Sequence, residues 1–584
     1  MTRLDRIPEA YLGIERSLMG RRWTGPDAAI DRASEAICQA ASLPRPLARV
    51  LARSGVAPAE AEGYLAPKLK HLMPDPRRMK DCAKAAARLN RAAERAEKVA
   101  VFADYDVDGA SSAALLIDWF ASREREVTLH VPDRIAEGYG PNAPAMARLS
   151  ADHDLIVCVD CGTMAHDALA AASCDVVILD HHLGGESLPK ALAVVNPNRA
   201  DEEGDLGLLC AAAVTFLTLV EADRQAREAG AEVRSLTPML DLVALATVAD
   251  VAPLRGVNRA FVRAGLQVMA GRGRTGLAAL CDAARLNCAP SAHHLGFVLG
   301  PRLNASGRIG RADAATRLLT CGCPHDARAR ADRLGEINDE RKRIEAQVRA
   351  SALAQAEARG GPLAWAVSAG WHPGVVGIVA SRMAERMSRP AVVLGMAEGE
   401  VKGSGRSVPG IDLGRAVARL VHEGLIEKGG GHEQAAGLTM TEAQVGPAME
   451  RLSELLERQG AGAAGPRDLA LDGTIMPGAA TTDLCDALER AGPYGQGAPA
   501  PRFALPDMRI AFAREVGEGH LKLALTDGTA KIDAIAFGGC TGPLAAMLSH
   551  GGARFHVAGR LEINEWQGRR SAQLQVVDAA PCSG

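Results

Sequence analysis

Aromatic side chains and net charge are both scarce in this 584-residue chain: Phe, Trp and Tyr make 3%, and the formal net charge is −3. Nine Phe, five Trp and five Tyr argue against a protein that stacks bases on a broad platform of rings. The balance of 67 Lys+Arg against 70 Asp+Glu excludes a uniformly basic nucleic-acid coat. It leaves open a nucleic-acid enzyme whose charge is unevenly placed. No apolar run reaches membrane-spanning length, and Met1-Thr-Arg-Leu-Asp-Arg-Ile-Pro8 has no apolar signal core. A soluble, cytoplasmic protein with no membrane partner is therefore expected. The 13 cysteines form no regular framework; Cys158-Val-Asp-Cys161 and Cys321-Gly-Cys323 lack a second pair at zinc-ribbon distance. Reduced, buried structural thiols are the expectation.

What the chain does have is core-forming material, 47% hydrophobic against 23% charged, which excludes wholesale disorder. The length corresponds to about four domains. Charge is segregated. Residues 1–100 hold 19 Lys+Arg against 12 Asp+Glu, a net of +7, and residues 101–190 hold 5 against 15, a net of −10. Many acids of the second block end apolar runs: Val99–Ala103 before Asp104, Leu155–Val159 before Asp160, and Asp175–Leu179 before Asp180. Val194-Val195 before Asn196-Pro197 reads as a further short strand. Continuous apolar runs separated by helical patterns predict parallel strands buried on both faces. Ligands of such sheets sit beyond the carboxyl ends of the strands, where these acids fall.

The pattern divides further along. Leu240–Ala249 predicts a buried helix closed by Asp250, and 326–359 a long, exposed helix acting as a spacer, stopped by Gly360-Gly361-Pro362. A second α/β pattern covers 361–459, followed by a Gly/Ala-rich linker at Gly460–Pro466. From 466 the period changes to alternation: Leu521, Leu523 and Leu525, the turn Asp527-Gly528, then Ile532, Ala534 and Ala536. That predicts a small antiparallel barrel or sandwich, with an OB-fold one candidate. Residues 1–75 read as an N-terminal helical region, and 76–325 as the parallel-sheet domain.

Asp104, Asp106 and Asp108 alternate; in extended chain their Cα atoms stand roughly 7 Å apart on one side. Three such carboxylates repel one another unless a cation reverses the sign. Asp160, Asp180, His181, His182 and Asp250 add oxygen and imidazole donors. A carboxylate-rich set with histidines suits Mn²⁺ or Mg²⁺ better than zinc or calcium. Any one piece alone reads equally as an acidic turn or a surface pair; four at consecutive element ends do not.

The motifs Asp104-Tyr-Asp-Val-Asp-Gly109, Val159-Asp-Cys-Gly162, Asp180-His-His182 and the helix-ending Asp250 resemble those of the DHH phosphoesterase superfamily. Within it the chain is similar to the single-strand-specific 5′→3′ DNA exonucleases. Supporting pieces are Arg302-Leu-Asn-Ala-Ser-Gly-Arg308, Gly370–Arg382, Gly403-Ser-Gly-Arg-Ser407, Gly430–Gly437, Pro493-Tyr-Gly-Gln-Gly497 and Leu561–Gly568. Two small departures lie outside the donors: Gly497-Ala-Pro499 where the family has Gly-Asn-Pro, and Ala110-Ser111 where Thr is common.

The resemblance implies an α/β multidomain chain: a parallel-sheet DHH domain, a long connecting helix, a smaller α/β DHH-associated domain and a C-terminal OB-fold β-barrel. It also implies two Mn²⁺ or Mg²⁺ ions that activate water for in-line attack on a phosphodiester and stabilise the leaving oxygen. Asp106, Asp108, Asp160, His181 and Asp250 are the implied ligands, Asp104 adjoins them, and Asp160 and Asp250 would bridge. Asp180 would orient the histidines, and His182 would contact phosphate or protonate the leaving group. Arg302, Asn304, Arg308, His372, Arg382, Ser404, Arg406, Ser407, Gly431 and His432 are the implied DNA contacts, with Arg382 as readily structural. The glycine-rich turns bring amides, hydroxyls and a guanidinium close to phosphate. The implied partners are single-stranded DNA, a single-strand-binding protein and a helicase, with a monomeric chain serving recombination and repair. Two rivals remain: a phosphodiesterase of short oligonucleotides or cyclic dinucleotides, and an inactive scaffold that only binds single strands.

Overall fold

A computed structural model describes residues 9–582 apart from 135, 398, 463–467 and 548–551. Met1–Pro8 and most of the expected linker, Ala463–Pro466, lie outside the described residues. The chain forms two compact units, Leu72–Gly465 and Met1–His71 with Pro466–Gly584.

In the larger unit, each apolar run becomes a strand because its side chains can be buried on both faces. β1 (Val99–Ala103), β3 (Leu155–Val159) and β4 (Asp175–Leu179) are buried throughout except for Asp175, and β5 (Ala193–Val195) completes one side. The sequence pattern missed β2 (Val127–His130), a half-exposed edge strand with no apolar run. The sheet is parallel throughout, in the order β2-β1-β3-β4-β5. The order reverses between β1 and β3, and a crevice opens beyond their carboxyl ends at such a switch point. Helices α1 (Val107–Ala121), α2 (Ala211–Glu228), α3 (Leu240–Ala249) and α4 (Gly300–Ile309) follow.

The long helix α5 runs from Pro324 to Arg359. It is not a bare spacer. Ala327, Ala331, Leu334, Asn338, Arg341, Glu345, Val348 and Ala352 are buried at alternating steps of four and three, one continuous face. The polar members satisfy each other: Arg341 donates to Glu345 at 2.6 Å and to Asn338 at 2.7 Å. Val348, Ala352 and Ala356 enter the core of the next domain.

That domain is a mixed sheet of β6 (Ala364–Ala369), β7 (Ala391–Ala397), β8 (Glu400–Arg406), β9 (Lys428–His432) and β10 (Ala435–Thr441), ordered β9-β10-β8-β7-β6. Helix α6 (Pro373–Met387) lies between β6 and β7 in sequence. Gly374 and Gly307 mark close approaches: a Cβ on Gly374 would stand 2.2 Å from Arg308 O, and one on Gly307 2.5 Å from Tyr105 O. The three motifs around Tyr105, Arg308 and Gly374 are thereby stacked backbone on backbone.

In the smaller unit, alternation produces a closed barrel: β11 (Phe503–Val516), β12 (His520–Thr526), β13 (Lys531–Ala536), β14 (Arg554–Trp566) and β15 (Arg569–Pro581), ordered β11-β12-β13-β15-β14. The N-terminal region is built into it. Ile37, Leu47 and Leu51 share a core with Leu523 and Phe555. Trp23 Nε1 and Ser17 Oγ donate to Asp578 Oδ2 at 3.1 and 2.7 Å. All 13 cysteines are free thiols, and among the described residues no helix is long and apolar enough to cross a membrane.

Candidate metal centre

The three aspartates after β1 are not in extended chain. The strand ends at Ala103 and α1 begins at Val107, because Asp106 caps that helix: its Oδ1 accepts from Asp108 N at 2.8 Å and Gly109 N at 3.1 Å. Asp108, the second residue of α1, is buried and accepts from Ala211 N and Ala212 N at 2.7 and 2.8 Å. These are the first amides of α2, whose dipole favours an anion there. Asp104 stays level with β3 through its amide on Val159 O at 3.3 Å.

Asp160 follows β3 with a left-handed backbone, φ +59°, which turns its carboxylate into the crevice. Asp250 ends α3, its amide donating to Ala246 O at 2.8 Å. His181 Nε2 stands 3.4 Å from Asp160, 3.7 Å from Asp108 and 3.8 Å from Asp250. Among the described residues, donor atoms within 4.8 Å of one another form three sets: Asp104, Asp106 and Asp160; Asp108, His181 and Asp250; and Asp160, His181 and His182. Asp160 belongs to two of them. Asp250 belongs to one.

The electrostatics are those of a site built for a cation. Burial, then the neighbouring charge of Asp106, pushes Asp104 up to about 8. Burial, then Asp108 and Asp106, pushes Asp250 to about 8. Asp160 is raised well above the carboxylate range by burial and by Asp108, Asp106, Asp104 and Asp250. Asp108 is raised too, by burial against the partial relief of His181. Asp104 Oδ1 and Asp160 Oδ1 are buried with no hydrogen-bond partner. Buried acceptors without donors are costly, and a divalent ion both fills and neutralises them. The donor set fits Mn²⁺ or Mg²⁺.

Asp180 is the contrast. Its Oδ2 accepts from Thr163 N and Oγ1 at 3.0 and 2.7 Å; its Oδ1 accepts from His181 N, His182 N and His182 Nδ1 at 2.8, 3.2 and 2.8 Å. Burial alone would raise its pKa, but these bonds outweigh it and hold the carboxyl well below its ordinary range. In return His182, which burial pulls down, is lifted to about 9 by Asp180. Asn196 Nδ2 donates to His182 O at 2.8 Å, and Asn198 Nδ2 to His181 O at 2.6 Å. Thr163, Asn196 and Asn198 thus hold the His-His pair in place, and no motif announced them.

Two further residues went unread in the sequence. The Tyr139 hydroxyl lies 3.2 Å from Asp160 O and 3.2 Å from His182 Nε2. Arg134 lies over the Tyr105 ring at 5.0 Å. The charge of Arg134 is also felt at the expected phosphate contacts. Burial and then Arg134 lower the proton affinity of His372 and Arg406, and Arg308 falls to about 10 for the same reasons plus Arg341. Arg308 and His372 meet at Gly374: Arg308 Nη1 donates to Gly374 O at 3.2 Å and His372 Nδ1 accepts from Gly374 N at 3.0 Å. Ser404 Oγ accepts from Arg406 Nη1 at 2.8 Å.

The remaining expected contacts are engaged locally. Asn304 Oδ1 accepts from Val107 N at 3.0 Å, fastening the first turn of α1. Arg302 donates to Val298 O at 2.7 Å, Arg382 pairs with Glu385 at 3.2 Å, and Ser407 Oγ donates to Ile411 O at 2.7 Å. Gly431 and His432 are exposed on β9, opposite Ala436 and Ala435.

Comparison with known proteins follows this architecture. Residues 98–247 match the DHH family N-terminal domain, 360–458 the DHHA1 domain, and 471–578 the RecJ OB domain. The chain is 36% identical to the single-stranded-DNA-specific exonuclease RecJ of Dickeya dadantii, covering 92% of this chain and 96% of that protein. It is 34% identical to that of Escherichia coli over 93% and 96%. A crystal structure of RecJ with Mn²⁺ from Thermus thermophilus superposes with a TM-score of 0.80 at 28% identity, covering 96% of this chain and 80% of that one. With all three domains in order and such identity across nearly its whole length, this chain belongs to the RecJ family.

Proposed function

We propose that this chain is a metal-dependent exonuclease that degrades single-stranded DNA from the 5′ end to 5′-mononucleotides. The observation that carries the reading is the set of buried carboxylate oxygens of Asp104 and Asp160 without hydrogen-bond partners, beside the guanidinium groups of Arg134, over Tyr105, and of Arg308 and Arg406. One half is built for divalent ions, the other for phosphate.

Asp104, Asp106 and Asp160 would hold one Mn²⁺ or Mg²⁺, and Asp108, His181 and Asp250 the second, with Asp160 3.4 Å from His181 of the second set. Such ions supply a Lewis acid for the phosphate and a lowered pKa for attacking water. The chain's own groups do the rest. Arg134, Arg308 and Arg406 hold phosphate oxygens in the forked geometry guanidinium favours. Asp180 fixes the His182 ring through Nδ1 and keeps it protonated near neutrality, so His182 donates a proton to the leaving oxygen. The barrel supplies a second surface for the strand. The reading extends to a monomeric, cytoplasmic chain that meets a single-strand-binding protein and a helicase in recombination and repair. The domain limits we propose are 76–325, 326–360, 361–459 and 466–584, after an N-terminal region 1–75.

The purified protein with Mn²⁺ or Mg²⁺ and end-labelled DNA tests this. Single strands with a 5′ end shorten progressively, blunt duplex persists, and Asp106→Ala abolishes the activity. Equal cleavage of duplex, or turnover of dinucleotides alone, would overturn the proposal.

A further inference from the structure

The loop between β2 and the helix Ala143–Asp152 carries Arg134 and Tyr139, two of the side chains at the centre that no motif announced. Its start is anchored by the half-buried Val131 and the buried Pro132. It contains Gly138 and Gly140, both at positive φ, and the exposed Tyr139. Beyond Pro132, glycine-rich backbone of this kind keeps one conformation when polar contacts fix it.

Glu137 provides them. Its Oε1 accepts from Asp133 N at 3.1 Å; its Oε2 accepts from Asn142 Nδ2 at 3.2 Å and lies 3.3 Å from His130 Nε2. Asp133 O in turn accepts from Glu137 N at 2.8 Å and Gly138 N at 3.1 Å, closing a turn around Arg134. Each of the other two partners is itself fixed. Asn142 Oδ1 caps the following helix through Ala145 N at 2.9 Å. The His130 ring lies 5.1 Å from Phe102, two residues before Asp104 on β1. One carboxylate thus joins the end of β2, the start of a helix and the turn between them.

We infer that Glu137 is a positioning residue of the nuclease site: its carboxylate ties the loop so that Arg134 lies over Tyr105 and the Tyr139 hydroxyl meets His182. The inference rests on the exonuclease reading. Burial alone would raise the Glu137 pKa; the bonds from Asp133 N, Asn142 and His130 outweigh it and hold the group below the usual range. It is an anion at neutral pH. Gln keeps an acceptor for Asp133 N but offers Asn142 a second amide donor, and Ala keeps nothing.

A double-mutant cycle on single-stranded DNA with Mn²⁺ decides the matter. Glu137→Ala lowers kcat/KM by roughly 30-fold and Glu137→Gln by less, while the midpoint for Mn²⁺-induced thermal stabilisation stays where it is in the parent. In an Arg134→Ala/Tyr139→Phe background the same Glu137→Ala change costs less than about twofold, because the groups it positions are gone. An equal cost in both backgrounds, or a parent-like Glu137→Ala, overturns the inference. Tryptic cleavage after Arg134 in the metal-loaded protein reads the loop without reference to turnover. It is expected to rise at least about tenfold in Glu137→Ala, and unchanged cleavage sinks the proposal. A parent protein that leaves single strands intact would overturn the exonuclease reading instead, with the proteolysis result still deciding the role of Glu137.

Discussion

Asp160 follows β3 and Asp180 follows the neighbouring β4; both are buried, at 2% and 1% exposure, yet they hold their charge on opposite terms. Asp180 is surrounded by five donor contacts and is a strong acid. Asp160 faces four other aspartates, has an oxygen with no donor, and resists ionising. Burial therefore does not decide the state of a carboxylate; the donors supplied with it do. One strand end is finished by the protein, and its neighbour is left for an ion to finish.

Breaking the unfinished end gives the largest effect. Asp160→Ala, assayed by release of label from single-stranded DNA, loses at least about 10³-fold in rate because it removes a carboxylate shared by two donor sets. The same change raises the melting temperature of the metal-free protein, since it deletes a buried carboxyl group with an oxygen that no donor satisfies. It also abolishes stabilisation by Mn²⁺. A fall in metal-free stability would mean that Asp160 is satisfied after all.

Breaking the finished end is milder for rate and worse for folding. Asp180→Asn keeps the shape but loses the charge that receives His182. Activity falls about 10–100-fold, the usual cost of removing a group that orients a donor. Denaturant unfolding should show a loss of roughly 1.5–3 kcal/mol, as for hydrogen bonds to a charged group. If Asp180→Asn proves as damaging to rate as Asp160→Ala, the two ends are not distinct.

The smallest effect sharpens the contrast through pH. In the folded, metal-free protein Asp104 and Asp250 titrate near 8, against 3.8 ordinarily, and His182 near 9, against 6.5. Between those limits the folded state holds protons that the unfolded chain has released. Stability is therefore full at low pH and is lost as pH rises through 8 to 9. Thermal melts in a chelator should fall by several degrees from pH 6 to pH 9. Saturating Mn²⁺ should flatten that slope, because ions replace the protons. A melt that rises with pH would place the charges elsewhere.

Much of this centre was legible in the sequence, for a physical reason. Doubly buried parallel strands must be continuous apolar runs, and a run that stops on Asp shows both the strand and its active end. β2 escaped because an edge strand has no such need. Thr163, Asn196 and Asn198 escaped because short polar residues after strands look like any loop, and only their partners give them meaning. The buried face of α5 was hidden by its own chemistry. Asn338, Arg341 and Glu345 lie in the stripe, so a search for apolar spacing sees an exposed helix where the fold pairs the polar groups with one another. Arg134 and Tyr139 came from a loop whose placement depends on contacts to three separate elements.

The shared core of Ile37, Leu47 and Leu51 with Leu523 and Phe555 has a consequence in time. A ribosome delivers the first partners of that core long before the last. At typical elongation rates residues 72–465 take roughly 20–80 s to pass, and meanwhile the apolar faces of the N-terminal helices have nothing to cover them. The intervening unit closes on contacts made wholly within itself. The entropy of joining distant ends grows only with the logarithm of their separation, so the barrel loses little stability by being split. What the arrangement costs is a waiting period, in which the newborn chain depends on chaperones or on the speed of its own synthesis.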